Sequence, residues 1–537
     1  MILILHPYEN SGVFMRLSEA IGTLAIAGDC ATGRPRGACL TGSVIATELA
    51  RSFGLDEKTC KATYYTSLFR FMGCTSSGPE AGSMALGDDR GFSLAFLLCD
   101  WLDLSALETA LKTGVALHAP AAERDAAFGT ILEHHEAIKG IVEIHCEQSR
   151  TFAARLPLPS NVAPCMPYLY ARWDGGLGNV GTEDIPSPAR AVSIGHVAAL
   201  YTRLRGKQAA QDEISNRAGR DLDPHMCAHL LANWDEIFAP LDEGAEFDVY
   251  VAAEPGGPIL IGPEHCEALA LIGADLVDQK SDWMGGHSRR VSALCGRAGQ
   301  IADIAQEPLM ELRHSALLHD IGKCAIDNRL LNKAKDLSHA ERLEFETHSF
   351  QTEFILSHGN PFRAFGTLPS VAEERFDGSG YHRRIDQKGL RENILATANL
   401  YDELVFDSPG HPALSAKEAT EHLIQQSQSG ALMATAVTAV LQAAGSPAKT
   451  ARKALPFNLS RREAQVIACL ARSETTPQIA ARLGISAKTA DHHIQSIYSK
   501  TGVRGRAPIA ILAIEHGLGS DEKELAWDTI KRKWLRH

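Results

Sequence analysis

Residues 316–323 read Ala316-Leu317-Leu318-His319-Asp320-Ile321-Gly322-Lys323, an apolar run that ends on an adjacent histidine and aspartate. A second histidine stands upstream in Gly286-His287-Ser288-Arg289-Arg290, and about 55 residues downstream comes Glu374-Arg375-Phe376-Asp377-Gly378-Ser379-Gly380-Tyr381. Imidazole and carboxylate together supply the mixed nitrogen and oxygen donors that suit a divalent metal. Lys323, about one helical turn beyond His319, is expected to face the same pocket.

The chain repeats itself around these segments. At an offset of 203, Ala171-Arg172-Trp173-Asp174-Gly175-Gly176 mirrors Glu374 to Ser379, and the same offset carries His196 onto Asn399. At an offset of 249, Leu68-Phe69-Arg70-Phe71-Met72-Gly73-Cys74 mirrors Leu317 to Lys323, and Gly37-Ala38 mirrors Gly286-His287. Two independent pairs at each offset predict a duplication, the first copy carrying 46 additional residues between its motifs. Its counterparts of the donor positions are Ala38, Arg70, Phe71 and His196, which cannot hold the same metal. Arg70 is expected to form a salt bridge to a neighbouring acid; the alternative is that it binds an anion.

The C-terminal stretch has a different character. Gly445, Ser446 and Pro447 break the helical pattern, and the basic segment up to Pro456 reads as a linker. Thr476 to Leu483 predicts a short amphipathic helix, Gly484 supplies the turn, and Ser486 is placed to N-cap a following helix. In that helix Ala490, Ile494, Ile497 and Tyr498 recur at helical spacing, while Lys488, Thr489, His492, Gln495, Ser496 and Lys500 occupy other faces.

Two family resemblances rest on these residues. LSRREAQVIACLA (459–471) followed by PQIAARLGISAKTADHHIQSIYSKTGVRGRA (477–507) closely resembles the LuxR-type helix-turn-helix, over Leu459 to Leu518. It implies a recognition helix over Ala487 to Ser499 in the major groove of double-stranded DNA, with Lys488, Thr489, His492, His493 and Ser496 toward the bases and Lys500, Arg504 and Arg506 near phosphates. Departures from the family pattern are Ala490, where valine is usual, and Asp491, an acid on a helix that approaches DNA. The His319-Asp320 and Glu374–Tyr381 motifs resemble the HD-GYP branch of the HD phosphohydrolases, helical proteins whose active members hydrolyse cyclic di-GMP at a multinuclear metal site. By that resemblance the metal ligands are His287, His319, Asp320, His348, Glu373 and Asn399, and catalysis, if the site turns over, falls to His319, Asp320 and Lys323. The chain departs from the pattern at Ala372-Glu373, where a paired histidine is usual, at Asn399 in place of an aspartate, and at Trp283 in place of a glutamate.

Composition agrees. The 537 residues are 45% hydrophobic and 22% charged, an ordinary globular make-up that excludes disordered and fibrous classes. No apolar stretch reaches the 18 or so residues of a membrane span, and Met1 to His6 lacks the basic start of a secretory signal, so the cytoplasm is expected. Twelve cysteines without a single CxxC pair read as reduced, buried small hydrophobes. The net charge of −12 hides a division: residues 441–537 carry 16 Lys and Arg against 8 Asp and Glu, so the preceding 440 residues stand at −20. A basic module is attached to an acidic body.

The expected architecture is therefore mainly α: a degenerate HD-GYP-like repeat (1–238), a linker (239–259), a second HD-GYP-like domain (260–444), a basic linker (445–457), a four-helix LuxR-type domain (458–520) and a basic tail (521–537). The expected function is a DNA-binding transcription regulator, a homodimer, whose body senses a small molecule such as a nucleotide or mediates dimerisation. The alternative is a metal-dependent phosphohydrolase of the cyclic di-GMP phosphodiesterase type fused to a DNA-binding module. The expected cofactor is one divalent metal (Mn, Fe or Zn) in the second copy and none in the first.

Overall fold

The structure, a computed structural model, describes residues 14–445 except 134, 136–137, 177–179, 243, 334–336 and 387, together with residues 457, 459, 461–471, 474–483, 485–503, 509 and 512. It divides into two compact units, Met1–Lys449 and Thr450–His537. Both are built from helices. Among the described residues the only sheet pairs Met15–Arg16 antiparallel with Leu260–Ile261.

In the first unit the helix Leu17–Ala31 is buried at every position but Glu19, because LSEAIGTLAIAGDCA is small or apolar all round. It packs in one continuous core with Leu269 and Leu276 of the helix Cys266–Asp278 and with Leu318 and Ile321 beside the His-Asp pair. The core thus joins the two copies. Their element bounds keep the offset read from the sequence: Ala38–Ser52 and Glu57–Phe69 reappear 249 residues later as His287–Ile301 and Gln306–Leu318. Ser187–Arg205 and Leu390–Val405 begin 203 residues apart. Both copies open the first of these helices on a left-handed glycine, Gly37 at φ 81° and Gly286 at φ 73°.

The additional residues of the first copy form the helices Gly78–Met84, Asp89–Leu97, Leu104–Gly114 and Ala121–Glu133, with a small core of their own around Phe92, Leu107, Leu111 and Phe128. Buried Lys280 clamps this insertion to the second copy at 2.5 Å from Asp89, which also accepts the Asn328 N–H at 2.8 Å. Glu246–Ala252, within the expected linker, is a helix whose Tyr250 stacks on Tyr64 at 5.1 Å and donates to the Ser18 carbonyl.

The second unit carries the helices Arg461–Ala471, Thr476–Leu483 and Ala487–Thr501 over a core of Val466, Ile467, Leu470, Ile479, Ala490, Ile494 and Ile497. Ser486 caps the last of them by accepting the Thr489 N–H at 3.0 Å. Gly484 and nearly all of the expected fourth helix lie outside the described residues. No helix among the described residues is long and apolar enough to cross a membrane, and none of the twelve cysteines is in a disulfide.

Candidate metal centre and nucleic-acid interface

Three segments of the second copy converge. Gly286 turns the chain so that His287 begins its helix, His319 and Asp320 close the helix Gln306–Leu318, and Asn399 sits within Leu390–Val405. All four side chains are buried. His287 Nε2 lies 3.0 Å from Asn399 Oδ1, 3.3 Å from His319 Nε2 and 3.4 Å from Asp320 Oδ2. His319 Nε2 lies 3.0 Å from Asn399 Oδ1 and 3.5 Å from Asp320 Oδ2.

The surrounding bonds fix which atoms face inward. His319 Nδ1 donates to the Ala316 carbonyl at 2.8 Å, and His287 Nδ1 donates to the Asp402 carboxylate at 2.7 Å, so both Nε2 atoms present lone pairs to the centre. Asn399 donates its amide to Glu373 Oε1 at 3.0 Å, which turns Oδ1 toward the imidazoles. Acceptor atoms of His287, His319, Asp320 and Asn399 thus gather within about 3.5 Å of His287 Nε2, an arrangement that suits a cation. A tetrahedral ion with bonds of about 2.0 Å separates its ligands by about 3.3 Å, the spacing found here. The donor set fits one divalent metal. In the metal-free chain a proton takes that role: burial opposes the charge on His287, but Asp320 and Asp402 overcome it and hold the imidazole up at about 10. Burial lowers His319.

His287, His319 and Asp320 form the one group of three such ligands among the described residues. Glu373 reaches the centre through Asn399 and is paired with Arg375 at 3.4 Å. His348 is buried nearby but donates to the Phe345 carbonyl and stands outside that group. Lys323 is tied to Asp320 at 2.6 Å and borders a cleft of about 330 Å³ with Trp283, Phe345, Glu373, Tyr381 and Glu403. Burial and the neighbouring Glu373 push Glu403 up to about 7. Sequence reading missed Asp402, which Arg290 also grips at 2.9 Å. Its only signal was its place three residues after Asn399, on the same helical face.

In the first copy His196 Nδ1 accepts from Arg34 at 3.2 Å, so its Nε2–H donates to Ser67, whose hydroxyl lies at 2.8 Å and whose carbonyl lies at 3.1 Å. The expected salt bridge of Arg70 is not formed: among the described residues its partners are the Leu169 carbonyl and Ser193, and no carboxylate lies within ion-pair distance.

On the second unit Lys488, Thr489 and His492 are exposed along the N-terminal half of the helix Ala487–Thr501, as is Asp491, whereas Ala490, Ile494 and Ile497 face the core. His493 and Ser496 are half-buried. Ser496 donates to buried Glu463 at 2.6 Å, and Lys500 pairs with the same carboxylate at 2.9 Å. Arg504 and Arg506 lie outside the described residues.

Comparison with known proteins matches both centres. Residues 272–432 match the HD domain model, and residues 458–513 match the model of bacterial regulatory proteins of the luxR family. The spore germination protein GerE of Bacillus subtilis is 37% identical over 59 residues, 11% of this chain and 80% of that protein. The chain joins an HD domain to a luxR-family C-terminus. The HD match encloses every residue of the candidate metal centre, from His287 to Asp402. Likeness extends further in the 3'3'-cGAMP-specific phosphodiesterase 3 of Vibrio cholerae, 25% identical over 411 residues, 75% of this chain and 89% of that protein. That span exceeds the HD match and so takes in much of the first copy. A cyclic di-GMP phosphodiesterase of Thermotoga maritima is 32% identical over 127 residues, 23% of this chain and 34% of that protein. The crystal structure of a cyclic GMP-AMP specific phosphodiesterase of V. cholerae shares the fold, with a TM-score of 0.56 and 23% identity over 81% of this chain and 98% of that one.

Proposed function

We propose that the chain is a cytoplasmic, homodimeric DNA-binding transcription regulator whose HD-type body receives a phosphoester signal. The observation that carries this reading is the luxR-type recognition helix, packed by Ala490, Ile494 and Ile497 and presenting Lys488, Thr489 and His492 outward from its capped end. Such a helix places its N-terminal half against base edges in the major groove, and a dimer would set two of them on half-sites about 34 Å apart. A ligand that binds one arrangement of the body better than another shifts the population able to span those half-sites. The −20 charge of the body repels the duplex and leaves contact to the basic module. The test is fluorescence anisotropy on DNA selected from genomic fragments. Lys488→Ala and His492→Ala should each weaken binding by about 1 kcal/mol or more, and Lys500→Ala should reduce the salt slope by about one. Failure to select any DNA, or unchanged affinity in the Lys488 and His492 variants, overturns the reading.

A second reading, metal-dependent hydrolysis of a cyclic dinucleotide, is favoured by the cleft beside the cluster. His287, His319, Asp320 and Asn399 would hold the metal, which when bound would polarise a phosphoryl oxygen and activate water. Lys323 brings a fixed positive charge to the cleft, while Trp283, Phe345 and Tyr381 wall it against bulk water. Glu403, poised near neutrality on the same cleft, suits proton transfer to a leaving oxygen. Hydrolysis of 3'3'-cGAMP or cyclic di-GMP with added Mn²⁺, abolished by His319→Ala, would establish this activity; its absence leaves the regulator alone.

A further inference from the structure

The first copy encloses a cavity of about 110 Å³ where the second has its metal centre. Arg34, Arg70, Arg172 and Arg217 all border it. Three of these are matched by acids: Arg34 by buried Asp29 at 2.8 Å, Arg172 by Asp100 and by Asp174 at 2.6 Å, and Arg217 by Asp221. Arg34 is also spent at its other terminal nitrogen, which donates to His196 Nδ1 at 3.2 Å. Arg70, the counterpart of His319, is the exception. It is 8% exposed, and no carboxylate among the described residues lies within ion-pair distance. Its hydrogen bonds, to the Leu169 carbonyl and to Ser193 at 3.1 Å, both leave from Nη1, and its Nε has no partner. Tyr170 covers the guanidinium at 4.6 Å from the ring centre. What remains is the edge formed by Nε and Nη2. A buried cation without a counter-charge is unfavourable unless something supplies one, and that edge presents two N–H groups spaced for the two oxygens of a carboxylate.

Much of the remaining wall is apolar. The insertion brings Phe92, Phe96 and Trp101 to the cavity, and Val142, Val197 and Leu200 add to them. Such a wall favours a ligand with an apolar end, because an oxyanion that is polar on every side would leave oxygens without partners. Size limits the length of that end. A cavity of about 150 Å³ takes the six carbons of benzene. In proportion, about 110 Å³ takes roughly four or five non-hydrogen atoms.

We propose that this cavity binds a two- or three-carbon monocarboxylate, acetate or propionate, with its oxygens on the Nε–Nη2 edge of Arg70 and its alkyl end among the aromatic rings of the insertion. The site is separate from the metal centre and goes beyond the reading of the body as a receiver of phosphoesters. Its occupancy stands or falls independently of whether the chain binds DNA or hydrolyses a cyclic dinucleotide.

The experiment is equilibrium dialysis of the full chain, stripped of metal and freed of chelator and carboxylate buffers, against radiolabelled acetate and propionate. Saturable binding of at least one of them is expected, weakened about ten-fold or more by Arg70→Gln. Val197→Met, which narrows the cavity and leaves Arg70 in place, should weaken propionate more than acetate. Hexanoate, too long for the cavity, and chloride, which offers no pair of oxygens, should displace the label poorly. Circular dichroism checks each variant. If Arg70→Gln does not fold, Arg70→Lys, which keeps the charge and loses the two-pronged edge, takes its place with the same expected direction. The proposal is overturned if neither carboxylate binds, if the folded Arg70 variant or Val197→Met binds both as the wild type does, or if hexanoate or chloride displaces the label as well as unlabelled propionate.

Discussion

Asp402→Asn isolates the part of the metal centre that sequence reading missed. The Asp402 carboxylate is buried, lies 2.7 Å from His287 Nδ1, and is held from the other side by Arg290 at 2.9 Å. Asparagine has the same shape, and its carbonyl oxygen still accepts the Nδ1 proton, so the ring keeps its orientation. What is lost is the negative charge that makes Nε2 a stronger donor. Loss of such an outer carboxylate lowers metal affinity about 10- to 100-fold, or about 1.4 to 2.7 kcal/mol. Arg290 loses its partner but is 28% exposed and rehydrates, so the fold should lose no more than about 1 kcal/mol. The assay is competition of the chelator-stripped chain against a chromophoric chelator for Mn²⁺ or Zn²⁺, with thermal unfolding in parallel. His319→Ala should abolish binding, and Asp402→Asn should fall between it and the wild type. A wild-type chain that takes up no metal, or an Asp402→Asn variant whose affinity stays within two-fold, would refute the reasoning.

Lys280→Met leaves buried Asp89 without its cation and should destabilise the body by about 3 to 5 kcal/mol, while Lys280→Met with Asp89→Asn recovers much of that in urea unfolding; an unchanged single variant would show that the clamp is idle. Gly195→Ala sets a methyl 2.7 Å from the Ala46 backbone nitrogen and 2.8 Å from the Gly42 carbonyl, so the helices Ala38–Ser52 and Ser187–Arg205 must part at a cost of about 1 to 3 kcal/mol, read as a lower melting midpoint. Burial pulls His145 from 6.5 down to about 4. The unfolded chain then protonates first, so the His145 contribution is present above pH 6.5 and is lost as pH falls toward 4. His145→Gln should flatten that limb of a melting-against-pH series, and an identical limb would sink the assignment.

The central helices of the helix-turn-helix were legible because their signals are local: the helix Thr476–Leu483 has the expected bounds, and Ser486 makes the expected cap. Of the six expected ligands, His287, His319, Asp320 and Asn399 converge, whereas His348 stands outside the group and Glu373 reaches it only through Asn399. Asp402 escaped because its role depends on helical register across 115 residues of chain, not on its neighbours. Arg70 was expected to find an acid, since most buried arginines do. Which groups surround a buried side chain is set by packing between distant segments, and here the surroundings are a carbonyl, a serine and aromatic rings. Ser496 and Lys500 face away from the core by periodicity, yet both reach Glu463, an interaction across 33 and 37 residues that no local pattern reveals.

The two copies differ at their centres while agreeing in their helices, and the shared core accounts for both facts. Leu24 of the first copy packs with Leu276 and Leu318 of the second, so the first copy cannot be removed without uncovering the helix that carries the His-Asp pair. Its fold is held by apolar contacts remote from the polar centre, which leaves that centre able to change its chemistry at little cost to the whole. Ala38 and Phe71 in place of His287 and Asp320 add buried apolar surface and give up the metal donors. Arg70 then supplies positive charge that neither metal supply nor pH removes, since a guanidinium stays protonated throughout the physiological range, whereas Arg34 is matched by buried Asp29. With a metal at the His-Asp centre, the body would hold two positive centres of different kinds, one exchangeable and one permanent. An anion held at the first would depend on the metal and one held at the second would not, so a chelator would separate the two in a single preparation.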